Sequence, residues 1–186
     1  MKEGCFITRQ NLLYQNLEGE IIESDIFEYN FNKAFSLVIS CGFIEHFEGR
    51  KLQTLLAIHN KLVEKNGLLF MTFPNFRYLN YFFAYFFRRR ILETHNTNIM
   101  NKKFFIEFAN KYGFEITYLN YFGGIHPGGL NFISPIYKTI KNNNNSNSIL
   151  IKSMKWLMLK FESLRLFDNI DSRFFSHHLG VVLRKK

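Results

Sequence analysis

Glu45 and His46 stand side by side directly after an apolar run, and an imidazole in that position can act as a general base near neutral pH. The same pair would serve equally well to cap a helix or orient a loop. Asp25, followed by Ile26, puts a short carboxylate just after Glu20 to Ser24, where it can receive a hydrogen bond from a ligand or simply close a turn. Ser40, Cys41 and Gly42 end a second apolar run. A glycine there lets the backbone approach a ligand closely, although Ser and Gly are also ordinary strand-end punctuation. Asn75, His95, Asn96 and His126 are polar residues placed to contact a substrate, against the commoner outcome that a polar loop residue is merely solvated.

Short apolar runs separated by helical stretches must position these residues, the pattern of a parallel sheet covered by helices. Glu20 to Ser24 is a weak strand candidate and Leu37 to Ser40 a strong one. Arg50 to Glu64 reads as a helix, with Leu52, Leu55, Leu56, Ile58, Leu62 and Val63 on one face and Asn66-Gly67 as its stop. Leu68 to Phe73 is a buried strand closed by Pro74. Asn101 to Tyr112 reads as a second helix stopped by Gly113, Phe114 to Phe122 as a strand, and Leu179 to Leu183 as the final strand. Between the last two, residues 123–178 form a mostly helical insertion or lid, with turn-rich glycine pairs and a basic helix near Lys152 to Phe167. One domain over residues 1–186 is expected.

Composition narrows the function classes. The 186 residues are 47% hydrophobic, which favours a globular fold, with only the Asn/Ser tract near position 145 reading as a flexible loop. The net charge of +9 is spread over short groups such as Arg88 to Arg90 and Arg184 to Lys186, and no recognition motif accompanies it, so no specific nucleic-acid partner is expected. Cys5 and Cys41 lack the spacing of a zinc or redox motif, and no secretory signal precedes them, which points to a reduced, cytoplasmic protein. The apolar run Leu79 to Phe87 is far shorter than the about 20 residues a membrane helix needs.

The segment Phe35-Ser36-Leu37-Val38-Ile39-Ser40-Cys41-Gly42-Phe43-Ile44-Glu45-His46-Phe47 resembles the central motif of class I S-adenosylmethionine-dependent methyltransferases. One helix later, Asn66-Gly67-Leu68-Leu69-Phe70-Met71-Thr72-Phe73-Pro74-Asn75 looks like the family's next motif, and Glu23-Ser24-Asp25-Ile26-Phe27 is similar to the acidic turn before both. The resemblance implies an α/β, Rossmann-like, three-layer fold, with S-adenosylmethionine bound beyond the carboxyl ends of the strands. It also implies roles: Asp25 accepting from the adenine amino group, the Ile26 backbone pairing with the ring, and Ser40, Cys41 and Gly42 lying beside the methionine part. His46 would be the base, with Asn75, His95, Asn96 and His126 facing the acceptor. Some relatives bind magnesium through Glu-x-x-Glu-His; here Gly42 occupies the first position, so no metal is expected.

The family's glycine-rich loop and the acidic strand end that holds the ribose do not appear, and the fold is therefore expected to be incomplete at its amino terminus. Cys5 to Thr8 would be the remnant of a strand and Arg9 to Leu17 of the helix after it. The expected function is methyl transfer to an oxygen or nitrogen of a small-molecule, lipid or saccharide acceptor. The alternatives are an inactive remnant or partner subunit and a peripheral membrane-binding protein, the last resting on the basic amphipathic pattern of Lys152 to Phe167.

Overall fold

The computed structural model describes residues 2–124, 152, 153, 156, 171–174 and 176–186. Most of the expected insertion, with His126 and most of the helix read over Lys152 to Phe167, lies outside the described residues. The chain divides into two compact units, Met1–Lys33 and Ala34–Lys186.

In the first unit, Lys2–Tyr14 forms helix α1. The strand expected at Cys5 to Thr8 is thus replaced by helix, because no turn or breaker separates it from the helical pattern that follows, and Thr8 Oγ1 bonds back to the Gly4 carbonyl at 2.8 Å. The helix closes through Asn16, at φ 52°, with the Leu17 amide donating to the Leu12 carbonyl at 2.9 Å. Glu20 to Ser24 is not a strand either. Its two apolar residues, Ile21 and Ile22, are adjacent, so they would face opposite sides of a sheet, and flanking glutamates leave no buried face to build on.

The second unit is built on a four-stranded sheet. β1 (Phe35–Cys41) leads into helix α2 (Gly49–Leu62) and back to β2 (Val63–Pro74), which lies parallel to β1 from Leu37 opposite Leu68 to Cys41 opposite Thr72. Helix α2 buries Leu52, Leu55, Leu56, His59 and Leu62, the spacing of one helical face. Its carboxyl end is held by Lys185, whose ammonium donates to the Asn60 and Val63 carbonyls at 2.7 and 2.8 Å. Between the ladder's first pair and Leu68 the chain passes Gly67, where a Cβ would stand 3.0–3.1 Å from the carbonyl oxygens of Glu64, Phe35 and Ser36. A side chain there would need those oxygens to give way by a few tenths of an ångström.

After β2 come two short helices, α3 (Tyr78–Phe87) and α4 (Arg89–Glu93), then α5 (Lys102–Tyr112), β3 (Phe114–Phe122) and β4 (His178–Lys185). Asn101 caps α5 by accepting from the Phe104 amide at 3.0 Å. The strand order is β1-β2-β4-β3, and β4 runs antiparallel to both neighbours. The sheet is therefore mixed, whereas a parallel sheet was expected; hydrophobic patterning marks a buried strand without giving its direction. The core centres on β2 and β4: Leu69, Met71, Phe73, Leu179, Val181 and Leu183 are fully buried. Phe105 of α5 stacks on Phe73 with centroids 5.0 Å apart, and Phe108 on Phe114 at 5.5 Å. At the outer edge, β1 leaves Leu37 and Ile39 51% and 61% exposed.

Candidate functional site

The antiparallel setting of β4 brings its beginning to the same edge of the sheet as the ends of β1 and β2. Cys41 lies opposite Thr72, Thr72 opposite Gly180, and Pro74 opposite His178. A cavity of about 450 Å³ opens at this edge. Gly42, Glu45 and His46 line it from the β1 side, Pro74, Asn75 and Phe76 from the end of β2, and Asn80, His95, His177 and His178 complete the wall.

Each wall is fixed by local bonds. Gly42, at φ 59°, turns the chain out of β1 while its amide donates to the Thr72 carbonyl at 2.8 Å. Ile44–His46 then forms a single 3₁₀ turn anchored by Ile44 and Glu45, each only 1% exposed. A distant segment clamps that turn. The Asn96 amide donates to the Glu45 carbonyl at 2.6 Å, and Asn96 Nδ2 to the Phe47 carbonyl at 3.1 Å. His46 Nδ1 lies 3.0 Å from the Thr94 carbonyl and His95 Nδ1 2.8 Å from that of Ile91. A carbonyl only accepts, so both imidazoles carry a proton on Nδ1 in these bonds, and in the neutral ring Nε2 is then the nitrogen with the lone pair. The Phe76 ring meets His95 edge-on at 5.1 Å.

On the opposite wall, the Asn75 amide donates to the His177 carbonyl at 2.7 Å, while Nδ2 donates to the carbonyls of Ser176 and Arg173 at 2.9 and 3.1 Å. Asn80 Nδ2 adds a bond to the Ser176 carbonyl at 3.0 Å. His178 stacks on Phe122 at 5.4 Å.

Polar groups at the cavity are incompletely satisfied. Glu45 Oε2 and Asn75 Oδ1 are buried without a hydrogen-bond partner, as is Ser40 Oγ two residues before Gly42. Burying such oxygens unpaired costs about 1–3 kcal/mol each, and two of them, Glu45 Oε2 and Asn75 Oδ1, belong to residues that line the cavity. Burial holds the Glu45 carboxyl above the ordinary carboxylate range, against the opposing effects of a backbone hydrogen bond and the neighbouring His46 charge. Burial likewise lowers the His95 imidazole, opposed by its bond to Ile91 and reinforced by His46. One donor atom from each of Glu45, His46 and His95 lies within 4.8 Å of the other two.

Of the residues singled out in the sequence, Gly42, His46, Asn75 and His95 meet at the cavity. Ser40 and Cys41 lead into it from β1; Ser40 is buried and Cys41 exposed. Asn96 is not a lining residue. Its side chain is occupied at both ends, donating to Phe47 and accepting from the Asn98 amide at 3.2 Å, so it holds the wall together. Asp25 and Ile26 belong to the first unit, where Asp25 Oδ1 accepts from the Phe27 amide at 2.9 Å and closes a turn. His126 lies outside the described residues. Phe76, Asn80, His177 and His178 were not among the site residues read from the sequence, and Glu45 was weighed as a cap and as one position of an incomplete metal-binding pattern. The adjacent histidines before the last strand were a visible signal, but using it required knowing that strand's direction.

No protein-family model and no curated protein matches the chain. Among solved structures it superposes on an S-adenosylmethionine-dependent methyltransferase from Archaeoglobus fulgidus with a TM-score of 0.51 at 18% identity, covering 88% of this chain and 66% of that one. It also superposes on coclaurine N-methyltransferase bound to N-methylheliamine and SAH, with a TM-score of 0.52 at 15% identity, covering 95% of this chain and 56% of that one. A third likeness is to a protein assigned as a methyltransferase from Bacillus halodurans C-125, with a TM-score of 0.55 at 14% identity over 99% of this chain and 78% of that one. The chain thus spans about two thirds of the first and just over half of the second.

Proposed function

Because the chain has the fold of class I S-adenosylmethionine-dependent methyltransferases, we propose that it takes part in methyl transfer from S-adenosylmethionine to an oxygen or nitrogen of a small-molecule, lipid or saccharide acceptor. The observation that carries this reading is the cavity at the carboxyl ends of β1 and β2, where open α/β sheets bind their ligands.

The residues present fit part of such a cofactor. Gly42 has no side chain and holds a positive φ at the rim, and Ser40 Oγ is a buried oxygen in want of a partner just behind it. Ser40, Cys41 and Gly42 would lie along the methionine portion. When bound, the cofactor supplies an electrophilic methyl group on a sulfonium. The protein's own contribution is then positioning, together with a group that accepts the acceptor's proton. His46 Nε2 is the atom assigned to that proton, with Asn75 and His95 contacting the acceptor.

Calorimetric titration of the purified, folded chain with S-adenosylhomocysteine tests the reading. Saturable binding that weakens in a Gly42→Ala variant supports it. A folded chain that gives no heat of binding leaves the alternative of a non-catalytic relative or partner subunit.

A second reading, contact with a membrane surface, is favoured by α3. Leu79, Tyr81, Phe82 and Phe86 on it are 45–63% exposed, and Arg88 to Arg90 follow directly. Aromatic and aliphatic side chains flanked by arginines suit the boundary of an anionic bilayer. No helix among the described residues is long and apolar enough to cross a membrane. Co-sedimentation with anionic phospholipid vesicles, lost on replacing Phe82 and Phe86 by Ser, is the expected result; no sedimentation removes this reading.

A further inference from the structure

We propose that Arg77, Lys102 and Arg173 form a binding site for a phosphate monoester beside the cavity. The three cations are gathered around two tyrosine rings. Both guanidiniums lie over Tyr78, with Arg77 Cζ 5.8 Å and Arg173 Cζ 5.7 Å from its ring centroid. Arg173 is also 4.8 Å from the centroid of Phe174, whose ring meets Tyr78 edge-on at 5.1 Å. Lys102 Nζ stands 5.6 Å from the ring centroid of Tyr121 and donates to Asn120 Oδ1 at 3.0 Å. The two rings belong to one cluster. Burial raises the Tyr121 hydroxyl above its ordinary value, the neighbouring Tyr78 raises it further, and the charges of Arg77 and Arg173 oppose both.

Charge decides what such a cluster takes. Among the described residues none of the three cations forms an ion pair; the neighbouring Lys103 pairs with Glu107 at 3.5 Å instead. Asp171, the acid nearest to Arg173 in the chain, accepts from the Gly124 amide at 3.4 Å. Like charges gathered around the same rings repel one another, and an anion between them turns that repulsion into attraction. Each guanidinium matches phosphate oxygens with a fork of N–H donors, the ammonium adds a compact charge, and tyrosine hydroxyls can donate further bonds. A phosphate monoester, with a charge of about −1.5 to −2 at pH 7 and three acceptor oxygens, uses all of these, whereas a carboxylate leaves donors idle.

The backbone adds an independent observation. Tyr78 is held at φ 54°, in the left-handed region that a bulky side chain seldom adopts, and residues kept in such conformations cluster at ligand clamps.

The cluster borders the cavity. Arg77 and Tyr78 stand in the chain between the lining residues Phe76 and Asn80, and Asn75 Nδ2 donates to the Arg173 carbonyl at 3.1 Å. Tyr121 pairs with Leu179, next to His178 of the cavity wall. The next step rests on the methyl-transfer reading and narrows it: the acceptor is a phosphorylated molecule, held by its phosphate at the arginines while its oxygen or nitrogen reaches into the cavity. That phosphate belongs either to a soluble ester or to a lipid headgroup.

The test is calorimetric titration of the full chain with inorganic phosphate at fixed ionic strength. The expected result is saturable binding of one phosphate per chain. Affinity falls about tenfold or more in Arg77→Gln and in Arg173→Gln, each checked for retained fold by near-ultraviolet circular dichroism, as loss of a charge-assisted bond requires. Lys103→Gln, outside the cluster, binds as the parent does. Absence of saturable binding, or an equal loss in Lys103→Gln and the arginine variants, overturns the site. Competition by glycerol phosphate supports it with a soluble ester as the source; sedimentation with phosphatidic acid vesicles, reversed by added phosphate, supports it with a lipid headgroup as the source. Titration with S-adenosylhomocysteine is a separate readout, so failure of the methyl-transfer reading and failure of the phosphate site are told apart.

Discussion

The rings of His46 and His95 lie 4.4 Å apart, centroid to centroid, at an interplanar angle of 56°. They come from segments on either side of α2, β2, α3 and α4, and Asn96 joins those segments through its backbone and side chain.

Replacing Asn96 by Ala removes a buried donor to Phe47 and the acceptor for Asn98. We expect a loss of about 1–3 kcal/mol in unfolding free energy, measured by urea denaturation.

Gly42→Ala forces a side chain into the left-handed region at φ 59°. The expected cost is about 1–2 kcal/mol of stability, with reduced affinity for S-adenosylhomocysteine by calorimetry. A variant that binds as tightly as the parent would remove Gly42 from the cofactor's path.

Gly67→Ala is a test of the fold alone. Its Cβ would press on three carbonyl oxygens at 3.0–3.1 Å, two of them on the β1 segment, so the expected loss is about 1–3 kcal/mol. A thermal melt that is unchanged would mean that this crossing relaxes freely.

His59 of α2 is 3% exposed, and burial lowers its pKa below the ordinary value of 6.5, against the opposing bond from Nδ1 to the Leu55 carbonyl at 2.8 Å. Above pH 6.5 the neutral ring is favoured in both states and its contribution to stability is fully present. As pH falls, the unfolded chain takes up the proton first, and stability is lost until the folded form protonates as well. Urea midpoints between pH 7.5 and about 5 should therefore fall with decreasing pH, and His59→Gln should flatten that slope.

The helices α2 and α5 and the strands β1 to β4 were legible in the sequence because their signals are local. The leucine spacing of α2, Asn101 and Gly113 around α5, and the apolar runs Leu37 to Ser40 and Leu68 to Phe73 each act within a few residues of the chain. The amino-terminal reading failed for a related reason. Cys5 to Tyr14 carries no glycine or proline, so the strand expected at Cys5 to Thr8 by resemblance had no physical support, and the weak strand candidate Glu20 to Ser24 has neither alternation nor a partner strand. The sequence by itself also determined that His46 and Asn75 follow apolar runs that read as strands, and therefore that they stand at strand ends.

Tertiary structure alone decided what they face. Only insertion of β4 between β2 and β3, antiparallel to both, brings His178 opposite Pro74 and puts two histidines on the cavity wall. Only the bonds from Asn96 to Glu45 and Phe47 set His95 beside His46. Such pairings join residues tens of positions apart, and nothing local in the chain encodes the direction of a strand or the partner of a loop. They are selected when the fold as a whole buries its apolar faces and satisfies its backbone, and the site at the strand ends is a consequence of that selection.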